Sequence, residues 1–473
     1  MKSLLFIRTS KKAVAVLMVA VIIMGIFSGC GKKATDKNEA GQTVISIGGW
    51  PTQEGTDLNN WNERKAKFEK DNPDFAIEPD PWLFDLKSFY SKAAGGTLPT
   101  LYNCYFTEMP QIKDMGYSKE LTKALKNNGL LDKLNPKVLE AVSDKEGNVY
   151  GFPYSAYVLG LAYNVDLFEK SGLMNADGTP KQPETWDDVV EFSKIIKEKT
   201  GKAGFMLPTM NNYGGWLCMP IMWSYGVDFM ELDENDKWVA TFNTKEAVAA
   251  LQFIKDLKWK HQIVPQNTLI DSNEYYKQYS IGEVGMIIGS NGTNGQAKTY
   301  GMDVNDFGMM AMPKGPKRHV TLLGGNVYCI EPNATDDQAD GVIKWIKMLY
   351  TPEASEDFKT NTIKSAELAV ENGKALGIKG LSIWSDDSES VKYSDEVIKK
   401  YANADLNHVI LYNDFLKSNV EIQAEEPVCA QELYGILDSC IQEVWTNKDA
   451  DCADIIKKAC SDFQKNYLDN VGF

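Results

Sequence analysis

Residues 150–188 read YGFPYSAYVLGLAYNVDLFEKSGLMNADGTPKQPETWDD. The apolar run at 158–163 is typical of a buried strand, and Gly172 closes the short helix that we predict after it. Thr185 then offers a hydroxyl cap, and the acidic residues 187–188 favour the first turn of a longer helix. The stretch therefore predicts a strand followed by helices, which is the repeating unit of an α/β fold.

The same alternation of strand and helix signals continues along the chain. The predicted strands cover residues 44–47, 75–78, 101–106, 158–163, 284–288 and 307–312. The predicted helices include residues 86–94 and those that begin near Thr56, Thr185 and Asp336, and the chain from about residue 395 is mostly helical. This alternation predicts mainly parallel sheets covered by helices on both faces. A chain of 473 residues is too long for one ordinary core, so we predict two lobes.

The N-terminus carries a targeting segment. Basic residues precede an apolar run at 13–27, which has the usual length of a signal peptide and is shorter than the about 20 residues that a membrane-spanning helix needs. The run ends in FSGC, which resembles a bacterial lipobox, so we predict that residues 1–29 are a signal peptide and that Cys30 is lipidated. The alternative is an uncleaved anchor helix. Residues 30–43, almost without apolar side chains, are predicted to be the lipidated cysteine and a flexible tether.

Composition excludes several classes of partner. The formal net charge is −15, which repels nucleic acid and anionic lipid, so we expect no nucleic-acid partner. Besides Cys30 the chain has seven scattered cysteines, and because this number is odd at least one is unpaired; we expect mostly buried thiols. Its three histidines lie far apart, and no phosphate-binding or zinc motif is present, so we expect no metal and no cofactor.

Four motifs in order resemble those of the family 1 extracellular solute-binding proteins of ATP-driven sugar importers. The first is the quoted stretch at 150–188, the second is GEVGMIIG at 282–289, the third combines 312–313 with GGN at 324–326, and the fourth is LYTPEA at 349–354. The order and spacing match over essentially all of residues 44–470.

The resemblance implies a two-lobed α/β fold of the periplasmic-binding-protein (Venus flytrap) type, with hinge crossings and a helical C-terminal part. It places residues 44–157 and about 308–365 in an N-terminal lobe, and about 158–307 and about 380–473 in a C-terminal lobe. Ligand binding would then shift an equilibrium between open and closed lobes. The implied crossings lie near residues 157–163, near 306–310 and within 360–385.

A sugar site needs aromatic rings for the C–H faces and amides or carboxylates for the hydroxyl groups. In α/β sheets such side chains lie on loops just beyond strand ends. We predict that Trp216 stacks on a sugar ring from a loop of the C-terminal lobe, where Gly214 and Gly215 bring backbone close to the cleft. The predicted ligand-binding residues are Trp50, Gln53, Tyr105, Thr107, Glu108, Tyr154, Tyr157, Trp216, Asn291, Gly325, Asn326 and Tyr434.

These observations predict a lipid-anchored, monomeric protein on the outer face of a bacterial cell membrane, which captures a carbohydrate and delivers it to a transmembrane permease. We expect an oligosaccharide and no catalysis, since no nucleophile or metalloprotease motif is present. The candidate loops hold little basic charge, which favours a neutral ligand. The alternatives are a glycan-active enzyme, a surface glycan adhesin, and a binding protein for another small polar solute.

Overall fold

A computed structural model describes residues 36–471. Its strands are β1 (Thr43–Ile47), β2 (Phe75–Pro79), β3 (Leu101–Tyr105), β4 (Phe152–Val158), β5 (Gly160–Asn164), β6 (Ala203–Met206), β7 (Met230–Leu232), β8 (Trp238–Ala240), β9 (Val284–Gly289), β10 (Phe307–Met310), β11 (Val320–Ile330) and β12 (Glu421–Ala424).

The helices of the first half are α1 (Thr56–Asp71), α2 (Leu86–Ala94), α3 (Met109–Asp114), α4 (Thr122–Asn127), α5 (Pro136–Glu140), α6 (Val165–Lys170), α7 (Trp186–Thr200) and α8 (Tyr213–Ser224). Those of the second half are α9 (Lys245–Trp259), α10 (Ser272–Ser280), α11 (Thr293–Thr299), α12 (Asp336–Leu349), α13 (Glu356–Glu371), α14 (Glu389–Tyr401), α15 (Ile410–Phe415), α16 (Ala430–Thr446) and α17 (Cys452–Asn466).

Two sheets organise the chain into two α/β lobes. The first has the strand order β12-β11-β3-β1-β2, with β4 also paired to β11. Strands β1 and β2 run parallel with Ile45 opposite Ile77, whereas β11 is antiparallel to β3 and to β4. The second sheet has the order β10-β5-β9-β6, and β7 and β8 form a separate hairpin. In the second sheet, strands β5 and β9 are buried along their whole length, as their near-continuous apolar sequences predict.

The chain passes directly from the first sheet to the second between β4 and β5. Only Leu159, which is fully buried, separates the two strands. Residues 311–319 carry the chain back from β10 to β11, and residues 425–429 connect β12 of the first sheet to α16. The last connection matters most for the site, because α16 packs along α8.

Two strands depart from the predicted lobe boundaries. Strand β10 pairs with β5 in the second sheet, so a boundary at about 308 cuts through it. Strand β12 pairs with β11 in the first sheet, although it falls in the stretch 380–473 predicted for the other lobe. Within the predicted third crossing, Leu381 bridges to Ala156 of β4, so this segment stays beside the first sheet. The division into lobes along the chain otherwise stays a prediction.

The helix start predicted at Thr185 is confirmed as a reciprocal cap. The Thr185 hydroxyl oxygen accepts a hydrogen bond from the Asp188 backbone N–H at 3.1 Å, and the Asp188 carboxylate accepts one from the Thr185 N–H at 2.9 Å. Helix α8 was not predicted, because it is apolar on all sides, contains Pro220 and is almost wholly buried. A helix buried all round shows no polar face and hence no amphipathic pattern.

The predicted signal peptide and Cys30 lie outside the described residues. Residues 36–43 belong to the predicted tether, and its flexibility stays a prediction. The Asn38 side-chain oxygen accepts hydrogen bonds from the backbone N–H groups of Ala40 and Gln42, both at 3.0 Å, which closes a turn ahead of β1. Within 36–471 no helix combines the length and apolar character needed to cross a membrane.

The cysteine prediction is confirmed. All seven cysteines among the described residues are free thiols, and six of them are buried. The Sγ atoms of Cys104 and Cys329, on the neighbouring strands β3 and β11, lie 3.5 Å apart.

Candidate functional site

One cavity of about 260 Å³ brings together half of the predicted ligand-binding residues. The predicted residues that line it are Tyr105, Thr107, Tyr157, Trp216, Gly325 and Tyr434. The lining residues that were not predicted are Asn211, Asn212, Tyr213, Glu425 and Gln431.

The two walls of this cavity come from different parts of the fold. Tyr105 ends β3 and Tyr157 lies on β4, so one wall belongs to the first sheet. Trp216 lies in the first turns of α8 and Tyr434 lies on α16, which together form the opposite wall. The structure corrects the prediction for Trp216, which is on a helix and not in a loop. The site therefore lies between the first sheet and helices α8 and α16.

The carboxyl group of Glu425 joins the two walls. The Tyr434 hydroxyl donates to its Oε1 atom at 2.8 Å, and the Thr107 hydroxyl donates to its Oε2 atom. Burial raises the pKa of Glu425, while hydrogen bonds from Thr107, Tyr434 and Trp216 oppose that shift. One carboxyl group thus accepts hydrogen bonds from the turn after β3 and from α16.

Glu108 lies next to this network but does not line the cavity. Its side chain is 8% exposed, and its Oε2 atom has no hydrogen-bond partner among the described residues. Burial, and then repulsion from Glu425, raises the pKa of Glu108 to about 8. Two neighbouring carboxyl groups in a dry environment cannot both ionise cheaply.

The raised pKa of Glu108 predicts how stability depends on pH. The folded state holds the Glu108 proton more tightly than the unfolded state, so this stabilisation is complete below pH about 4.5 and is lost as the pH rises through about 8. The melting temperature of the empty protein should therefore fall between pH 5 and pH 8. In the Glu108→Gln variant, this fall in melting temperature should be smaller by a few degrees in calorimetry. The melting temperature at pH 5 should change little. An equally steep slope in the variant would contradict the assignment.

The start of α8 is held against α16 by a second buried carboxylate. Asp438 accepts hydrogen bonds from the backbone N–H groups of Asn212 and Gly215, each at 2.7 Å. A Cβ atom on Gly215 would lie 2.1 Å from the Tyr434 carbonyl oxygen, so only glycine permits this approach. The structure places Gly215 against α16 and Gly214 against the Pro208 carbonyl oxygen and the Asp438 side chain, and neither glycine lines the cavity.

Trp50 and Gln53 are not part of the cavity. Trp50 is 4% exposed, and its ring lies 4.9 Å from that of Trp61 and 6.2 Å from that of Trp345. Trp50 is thus a core residue of the first lobe, because its neighbours are aromatic side chains from α1 and α12. Gln53 is exposed and does not line the cavity.

The remaining three predicted residues also lie elsewhere. Tyr154 stacks on Tyr328 with ring centroids 4.0 Å apart and lines a separate cavity of about 720 Å³. The Asn326 amide donates to the Ser155 hydroxyl at 2.8 Å, which ties β11 to β4. Asn291 is half-buried, and its amide lies near Gly380.

The residues that sequence reasoning missed fall into two groups. Asn211, Asn212 and Tyr213 precede the predicted Trp216, and both asparagines adopt a positive φ, which this residue type tolerates better than most. Two asparagines in a row were therefore a usable signal for a sharp turn. Glu425 and Gln431 gave no such signal, since the strand before Glu425 has only four residues. Among residues 36–471, no three histidine, cysteine or acidic side chains are grouped as a metal site.

Comparison with known proteins identifies the family. Residues 52–356 match the family described as bacterial extracellular solute-binding protein, and the chain belongs to that family. A putative binding protein of Brucella abortus is 25% identical over 285 residues, which are 59% of this chain and 64% of the relative. An arabinooligosaccharide-binding protein of Halalkalibacterium halodurans is 33% identical over 143 residues, 30% of this chain and 29% of the relative. The chain thus matches less than two thirds of the length of these relatives.

Solved structures confirm the fold. A cyclic alpha-maltosyl-1,6-maltose binding protein from Arthrobacter globiformis superposes with a TM-score of 0.65 at 20% identity, over 90% of this chain and 100% of that one. UgpB from Mycobacterium tuberculosis, in complex with glycerophosphocholine, superposes with a TM-score of 0.62 at 15% identity, over 90% and 98%. The predicted two-lobed α/β fold is therefore confirmed.

Proposed function

We propose that this solute-binding protein captures a carbohydrate, most suitably an oligosaccharide, and delivers it to the permease of an ATP-driven importer. The observation that carries the proposal is the lining of the 260 Å³ cavity, in which five of eleven residues are aromatic. Amides, a hydroxyl group, glycine and one carboxyl group make up the remainder. Aromatic rings cover the C–H faces of sugar rings, and the polar groups bond to hydroxyl groups.

Two of the relatives are named for ligands of the same class. Besides the arabinooligosaccharide-binding protein, a lactose-binding protein of Rhizobium radiobacter is 25% identical over 242 residues, 49% of this chain and 53% of the relative. An anionic ligand is disfavoured, because the residues that line the cavity include no lysine, arginine or histidine.

Closure of the lobes is the proposed signal to the permease. Thr107 and Tyr434 contact the same carboxyl group from opposite walls, so a ligand between these walls would favour the closed arrangement. Delivery also needs the protein near the membrane, which lipidation of Cys30 would provide. Replacement of Cys30 by alanine should release the protein into the medium or leave the leader uncleaved. Normal cleavage with full membrane retention would exclude the anchor.

The function is tested by calorimetric titration of the purified protein with a broad panel of mono- and oligosaccharides. We expect at least one glycan to bind with a dissociation constant of roughly micromolar or lower. Chromatography of the same sample should recover the glycan unchanged, as a binding protein predicts. Absence of binding to every glycan, together with binding of an amino acid or phosphate ester, would contradict the proposal. Protein-dependent cleavage of the glycan would place the chain among enzymes.

A further inference from the structure

We propose that the carbohydrate bound in this cavity carries a protonated amine, which lies against the Glu425 carboxylate. The inference rests on the proposed function and narrows its ligand to cationic sugars, such as those with a free amino group in place of a hydroxyl group. It corrects the expectation of a neutral ligand. The scarcity of basic side chains argues against anions, but it does not disfavour cations.

The carboxyl groups at the cavity lack a counter-charge. Buried carboxylates in proteins are normally paired with a cation. Glu108 is buried and Glu425 is half-buried, yet neither belongs to an ion pair within the part of the chain that the structure describes. Glu432 adds to the negative potential at Glu108. Glu108 can keep its own proton up to about pH 8, whereas Glu425 lines the cavity, where a ligand amine can balance its charge.

The Glu425 carboxyl group still has free hydrogen-bond acceptor sites. A carboxylate has about four lone-pair sites, and the hydroxyl groups of Thr107 and Tyr434 use two of them. At least one site remains on a group that lines the cavity. An ammonium group carries three donors and makes charge-assisted hydrogen bonds, which are stronger than those of a hydroxyl group.

Aromatic side chains line the cavity beside that carboxyl group. Trp216 and four tyrosines line the same 260 Å³ space. Aromatic faces attract cations through the ring quadrupole, most strongly for tryptophan and in sites that exclude water. Tyr213 is held in place through a hydrogen bond between its hydroxyl group and that of Tyr276, and its ring lies 5.3 Å from that of Trp216. A carboxylate beside several aromatic rings suits a cation better than it suits a neutral hydroxyl group.

The test compares sugars that differ only in charge. The purified mature protein is titrated with the glucosamine disaccharide derived from chitosan, with cellobiose and with the N-acetylated disaccharide. The same comparison uses trehalosamine against trehalose and glucosamine against glucose, beside the broad glycan panel. We expect the tightest ligand to be amine-bearing and to bind at least tenfold more tightly than its neutral counterpart.

The Glu425→Gln variant keeps the shape of the side chain and removes its charge. It should weaken binding of the amine-bearing sugar about tenfold or more, and the loss of affinity for its neutral counterpart should be at least about threefold smaller. Glu426→Gln is the matched control, because Glu426 accepts a hydrogen bond from Trp223 at 3.2 Å and does not line the cavity. It should leave both affinities unchanged.

The outcomes separate the inference from the proposed function. If a neutral or acetylated glycan is the tightest ligand, or binds as well as its amine-bearing counterpart, the amine inference is overturned while carbohydrate binding stands. If no glycan of either kind binds, the proposed function fails, and the inference fails with it. Equal losses for charged and neutral sugars in Glu425→Gln would show that Glu425 shapes the cavity and does not pair with a cation.

Discussion

Replacement of Trp216 by alanine should weaken glycan binding well over tenfold. Trp216 lines the cavity from the start of α8 and is only half-buried, so its ring offers a face to a ligand. Loss of an aromatic anchor in a binding site typically costs about 2 kcal/mol or more of binding free energy. The stability of the empty protein should change little, because the ring is not enclosed by the core. Isothermal calorimetry and a thermal melt of the same preparation measure both quantities.

Trp238 provides the matched control for this substitution. It is also half-buried, but it lies on β8 of the separate hairpin and does not line the cavity. The Trp238→Ala variant should keep normal affinity with a similarly small loss of stability. If Trp216→Ala lost about 3–5 kcal/mol of stability and bound glycan normally, Trp216 would be a core residue and the ligand-facing role would be wrong.

The Gly215→Ala substitution should destabilise the protein by about 3 kcal/mol. The added methyl group would lie 2.1 Å from the carbonyl oxygen and 2.6 Å from the Cα atom of Tyr434, and both are backbone atoms that cannot rotate away. Overpacking of this kind typically costs about 1–3 kcal/mol and more where the backbone must move. Because Tyr434 and Trp216 both line the cavity, we also expect weaker glycan binding by the folded fraction. Denaturant unfolding measures the loss of stability.

Gly295 is the matched control, because it lies within helix α11 and a Cβ atom there meets nothing within 4 Å. Its replacement by alanine should be neutral or should stabilise the protein by up to about 1 kcal/mol, since alanine is the better helix former. A comparable loss of stability in both variants would mean that the close contact between α8 and α16 is not the reason why residue 215 must be glycine.

The sequence predicted the local elements well where one signal dominated. Strand β1, helix α2 and the capped start of α7 follow from apolar runs and capping side chains, which act over a few residues. The mostly helical character predicted from about residue 395 is also found, in α15, α16 and α17. Strand β11 was not predicted, because its GGN motif at 324–326 is more typical of a loop, and only pairing with β3 and β4 makes it a strand.

Half of the predicted ligand-binding residues line the cavity, and the reason is physical. Tyr105 and Tyr157 lie on or next to strands, so the rule that binding groups follow strand ends finds them. The same rule selects Trp50, which the structure buries against Trp61 and Trp345, because the rule cannot tell which side of a strand end faces the core. Glu425 was not predicted, because its position depends on the pairing of β12 with β11 in the first sheet.

The most direct measurement is a crystal structure of the protein with its tightest-binding glycan. The account predicts a sugar ring stacked on Trp216 between the first sheet and α16, with a polar group of the sugar on the Glu425 carboxylate. A glycan bound in the 720 Å³ cavity beside Tyr154 and Trp384, with the space next to Trp216 free of sugar, would contradict it.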